Sequence, residues 1–111
     1  MADNSEIAPR LSVQLVLLER IWDDFLRNSE LKVASLRLDA WQKRTKEILS
    51  DVGKAETLHA ISELVTQTVN DPVSQFLELA KRYRLFLSTL VKQMENADSR
   101  EEKNIAGEPL S

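Results

Sequence analysis

DPVSQFLELAKRYRLFLSTLVKQMENA, residues 71–97, is the stretch that decides the fold. Asp71-Pro72 reads as a helix start. Asp71 offers a side-chain oxygen to the free N–H groups of the first turn, and Pro72 takes the first helical position, where its missing N–H costs nothing. After it, Val73, Phe76, Ala80, Tyr83, Leu87, Leu90, Met94 and Ala97 recur at alternating steps of three and four, so they share one stripe of a helix. Leu77, Leu79, Leu85, Phe86 and Val91 carry apolar character beyond that stripe. A helix this apolar needs cover on more than one side.

Working outward, the preceding segment predicts a helix over about Lys54 to Val69, with Leu58, Ile61, Val65 and Val69 as its buried line and Leu64 beside it. Thr57, Thr66, Thr68 and Val69 are weak helix formers, so tertiary contacts must hold it. Before it stands Gly53, the one glycine away from the C-terminal tail, which can take the left-handed conformation that closes a helix. Leu31, Ala34, Leu38, Trp41, Ile48 and Val52 form a further stripe with Thr45 in its gap. Two starts fit it: one near Ser29, and one at Ser35 with Lys32 to Ser35 as a connector. The connector is the preferred reading. Pro9 suits the first turn of the first helix, where Leu11, Leu15, Leu18, Trp22 and Phe25 follow at helical steps to an end near Asn28-Ser29.

With two glycines and three prolines in 111 residues, the chain is poor in hairpin turns. Short links between successive helices favour antiparallel neighbours. The expectation is an all-α protein, a small up-down bundle of about four helices over residues 9–97. Residues 1–8 are read as a disordered N-terminal tail and 98–111 as a disordered acidic C-terminal tail.

Net charge is −3. Asp3 and Glu6 at one end, and Asp98, Glu101, Glu102 and Glu108 against Arg100 and Lys103 at the other, account for the excess. The body between them is close to neutral and does not advertise nucleic acid or an anionic membrane. Lack of cysteine excludes disulfides and thiol chemistry. The start lacks the basic and apolar regions of a secretory signal. The longest apolar run, Leu15-Val16-Leu17-Leu18, is far too short to span a bilayer. A cytoplasmic protein is expected.

Chemistry has little to stand on. Glu56 and His59 have the spacing of a carboxylate–histidine metal pair, but such bundle sites need a second pair, and this chain has one histidine. As a general base His59 would need a nucleophile and an orienting group, and no strained turn or glycine-rich element presents one. The arginine-to-histidine spacing of helical ribonuclease toxins is absent, since no arginine stands between Lys46 and His59. Glu19, Asp23 and Asp24 share their helix with Arg20 and Arg27 and suit a solvated face, with Asp23 and Arg27 as an i,i+4 ion pair. No catalytic, cofactor or metal residues are assigned.

Two basic clusters, Lys43, Arg44 and Lys46 on helix two and Lys81, Arg82 and Arg84 on helix four, would hold phosphates if they converged. Interleaved Asp39, Glu47 and Glu78 favour ordinary solvated faces. Leu38-x2-Trp41-x2-Arg44-x3-Ile48-Leu49-x3-Gly53, about a seventh of the chain, resembles helical segments that precede effector domains in bacterial abortive-infection proteins. That resemblance implies an accessory module of a defence system; its residues are mainly those at core spacing, and it does not establish a family.

The leading expectation is a non-enzymatic interaction or oligomerisation module, self-associating or docking a protein partner through surplus apolar surface on helices one and four. Leu17, Ile21, Trp41, Leu79 and Phe86 are its candidate interface residues, with Trp41 equally suited to a core, while Trp22 is expected in the core.

Overall fold

A computed structural model describes residues 4–105, with side chains described for 6–96. Four helices follow one another: α1 Asn4–Asn28, α2 Leu31–Ser50, α3 Ala55–Thr68 and α4 Pro72–Ile105. Strands are absent among the described residues. Side-chain pairs set the directions. Arg10 meets Asp51, Gln14 meets Thr45 and Asp24 meets Arg37, so residue numbers fall in α1 as they rise in α2. Phe25 meets Phe76 and Glu19 meets Arg84, the same crossing between α1 and α4. Both α2 and α4 thus run antiparallel to α1, and the four helices stand in the ring order α4, α1, α2, α3, with α3 closing on α4. This is the up-down bundle that the short connections imply.

The helix ends follow from named residues. The Ser74 N–H donates to Asp71 Oδ2 at 2.9 Å, the cap expected of Asp71, and the Gln75 side chain donates back to the Val69 carbonyl. Gly53 has φ +70°, the Lys54 N–H donates to Leu49 O at 3.0 Å and the Gly53 N–H to Ser50 O. These two bonds close α2 on a left-handed residue just past its end.

Two boundaries differ from the spacing argument. Helix α2 begins at Leu31, so there is no connector over Lys32 to Ser35; burial of Ala34 and Leu38 draws that segment into the helix. The turn before it is made by Ser29 at φ 56°, a left-handed conformation for a residue with a Cβ, held by its N–H to Phe25 O at 2.7 Å. Helix α1 begins at Asn4 rather than Pro9, and Ile7 and Ala8, placed by composition in a tail, are core residues. Pro9 therefore sits inside the helix and removes one bond from its ladder. Ile7 lies four residues before Leu11 and both are fully buried, so packing outweighs the lost bond. At the other end α4 continues past Ala97 to Ile105. Residues 1–3 and 106–111 of the two expected tails lie outside the described residues.

One core runs through all four helices. Phe25 and Phe76 pack with ring centres 4.8 Å apart at α1–α4, and Trp41 stacks on Tyr83 at 5.4 Å between α2 and α4. A buried pair of polar contacts crosses this core: Gln14 Nε2 donates to Thr45 Oγ1 at 2.7 Å, and Trp41 Nε1 donates to the Gln14 backbone carbonyl at 2.7 Å. Thr45 is wholly buried, which explains a hydroxyl at a stripe position. The Tyr83 hydroxyl is buried and has no hydrogen-bond partner among the described residues.

Most of the α4 stripe is covered within the one chain. Phe76, Ala80, Tyr83, Leu87, Leu90, Val91 and Met94 are all buried, because α4 touches α1, α3 and, across the bundle, α2. The surplus apolar surface that the sequence suggests on α4 is therefore smaller than its composition implies, and Val73 and Leu85 are its exposed large members among the described residues. Among the described residues no helix is long and apolar enough to cross a membrane.

Candidate interaction groove

Between α1 and α4 the surface opens into a groove of about 790 Å³. Its floor is Leu18, Trp22 and Ala80; its α1 rim carries Glu19 and Asp23, and its α4 rim carries Lys81, Arg84, Leu85 and Ser88. Helical spacing explains the composition. Leu18 and Ala80 belong to the core stripes, while Trp22 lies one turn on from Leu18 and at the edge of its stripe, so the indole is half-buried. Trp22 is thus a groove residue that packs against the core, rather than a residue inside it. Leu85 stands at 67% exposure on the outer wall. Leu26, one turn beyond Trp22 on the same flank of α1, is exposed at 59%.

The two walls carry opposite charge. Arg84 Nη2 reaches Glu19 Oε2 at 3.2 Å across the groove, with both groups well exposed. Asp23 and Lys81 form no ion pair among the described residues. Among the described residues the sequence pairing of Asp23 with Arg27 is not made; instead Asp24 accepts a 2.7 Å hydrogen bond from Arg37, which holds its carboxyl below the ordinary value, with desolvation opposing the shift.

A second, smaller cleft of about 310 Å³ lies on the other flank of α1, against α2, lined by Gln14, Leu17, Ile21, Arg37, Ala40, Trp41 and Arg44. Three of the five interface candidates meet there, but Ile21 and Trp41 are buried in the core and offer only an edge; Leu17 is exposed. Leu79 and Phe86 are half-buried and pack on the core. Seven residues apart, they share the flank of α4 opposite Lys81 and Ser88, away from the groove. The five candidates therefore do not form one surface.

Nor do the basic clusters converge. Lys81 and Arg84 line the α1–α4 groove, Arg82 is tied to Glu78 at 2.6 Å, and Arg44 lines the α1–α2 cleft with Lys43 and Lys46 exposed on the same helix. Since α2 and α4 flank α1 on opposite sides, the two clusters belong to separate faces. His59 is exposed and pairs with Glu63 one turn on, at 2.5 Å, rather than with Glu56. Among the described residues no group of three or more histidine, cysteine, aspartate or glutamate side chains converges as a metal site would require.

Compared with models of protein families, with curated proteins and with solved structures, the chain matches none of them.

Proposed function

We propose that this chain is a non-enzymatic protein–protein interaction or oligomerisation module that docks through the groove between α1 and α4. One observation carries the reading: a half-buried tryptophan floors an open groove whose wall holds a leucine at 67% exposure, inside a rim of mixed charge. A central aromatic anchor with a polar rim is the usual anatomy of a protein docking site. The other exposed apolar side chains, Val13, Val33, Leu36 and Leu64 among them, are spread over several faces, as on any small protein.

Leu85→Asp tests the proposal. At an exposed site the substitution leaves folding stability within about 0.5 kcal/mol. Association, followed by sedimentation for self-contact and by cross-linking for another protein, is expected to fall sharply. Unchanged association in a folded L85D chain would contradict the assignment of the groove.

A further inference from the structure

We infer that the occupant of the α1–α4 groove is a second copy of this chain, laid α1 on α4 about a two-fold axis running along the groove. The inference rests on the docking role proposed above and adds its partner and geometry. Closed two-fold contacts use the same patch on both subunits, so the patch must complement itself. Here it does. The acids, Glu19 and Asp23, stand on the α1 wall and the bases, Lys81 and Arg84, on the α4 wall. An axis lying across the groove would set α1 on α1, acid against acid. An axis along the groove sets each α1 against the other copy's α4, acid against base.

The levels also agree. Glu19 and Arg84 stand opposite one another in the single chain, so the along-groove axis brings two such pairs together as an alternating square of four charges. Asp23 and Lys81, which form no ion pair among the described residues, gain partners across the contact. Leu85 of each copy, on the wall that crosses over, comes to the α1 side of the other copy at the level of Leu18 and Trp22, where the open groove can receive it. The near-neutral body offers no net repulsion to self-contact.

The test uses the full chain in sedimentation over a concentration series, with circular dichroism to confirm that each variant is folded. The double variants E19K/D23K and K81E/R84E change exposed groups. Each alone is expected to raise the dimer dissociation constant by about tenfold or more, a change equivalent to about 1.4 kcal/mol. Mixed in equal amounts they are expected to form a heterodimer, because one then carries bases and the other acids on both walls. A monomeric wild-type chain overturns the inference, as does a dimer that both swaps leave unmoved or a mixture that fails to reassociate. If the chain is monomeric yet L85D loses contact with a different protein, the docking role stands and the second copy is rejected; if neither contact exists, both fail.

Discussion

Tyr83→Phe removes one atom from the centre of the bundle and should make the protein more stable. Tyr83 is fully buried, its ring stacks on Trp41 at 5.4 Å, and its hydroxyl has no hydrogen-bond partner among the described residues. Ser62, half-buried on α3, acts on the phenol without reaching bonding geometry. A buried hydroxyl left unsatisfied costs about 1–3 kcal/mol. Phenylalanine removes that cost while keeping the stack, offset by a small void where the oxygen was. The net expectation is a gain of about 1 kcal/mol, or about 4–8 °C in melting temperature for a domain this size. Urea unfolding followed by tryptophan fluorescence measures it. Tyr83→Ala, by contrast, should cost about 3–5 kcal/mol, a large part of the stability of a small domain. The pH dependence gives an independent check. Burial pushes the Tyr83 phenol above its ordinary value of 10.0, Ser62 partly opposes the shift and Asp39 adds to it. The folded chain then holds this proton more tightly than the unfolded chain. Its contribution is complete below pH 10 and is lost as pH rises beyond it, so wild type should weaken in that range more steeply than Y83F. Destabilisation of Y83F by more than about 1 kcal/mol, matched by a similar loss in Ser62→Ala, would refute the reasoning by showing that the hydroxyl is bonded.

Three further outcomes follow from the packing. Ile7→Ala should cost about 2–5 kcal/mol in thermal or chemical unfolding, since Ile7 is fully buried, whereas a residue in a free tail would cost nothing. Asp71→Ala should cost about 1 kcal/mol, and Asp71→Asn much less, because the lost bond to the Ser74 N–H is a helix cap. Gln14→Leu and Thr45→Val should each destabilise when made alone, by about 1–3 kcal/mol, and the double variant by less than their sum; strict additivity in a double-mutant cycle would deny the buried bond between them.

What the sequence reveals and what it hides divides along physical lines. Asp71-Pro72 and Gly53 announce helix ends because they act through local backbone chemistry, and both act as their residue types require. The stripes of α2 and α4 give most of the core because burial follows the helical period, while of the line expected on α3 only Leu58 and Val65 are buried, and Ile61 and Val69 are half-buried. Pro9 misleads: it is a strong local start signal, but Ile7 and Leu11 gain more from burial than the helix loses at the proline. The connector over Lys32 to Ser35 fails for the same reason, since Leu31 and Ala34 face the core. The groove is harder to see. Leu18 and Trp22 show apolar spacing, yet which flank of α1 stays open depends on how the side chains of its neighbours fill the space beside it, and that is written in no single helix. Ile21 of α1 and Trp41 of α2 belong to the core, where Trp41 bonds to α1 at Gln14 and stacks on Tyr83 of α4. The acid–base character of the two walls was present in Glu19, Asp23, Lys81 and Arg84; only the antiparallel pairing of α1 with α4 brings them to one rim.

In the proposed dimer α1 of one copy lies against α4 of the other, and the chain lends itself to a direct trial because it has no cysteine. Asp23→Cys and Lys81→Cys proteins, each with a single thiol, are mixed under mild oxidation and separated without reductant. A disulfide-linked dimer joining the two variants is expected, with little linking of either variant to itself. Self-linked Asp23→Cys in place of the mixed product, or no link at all at concentrations where the chain sediments as a dimer, would contradict it.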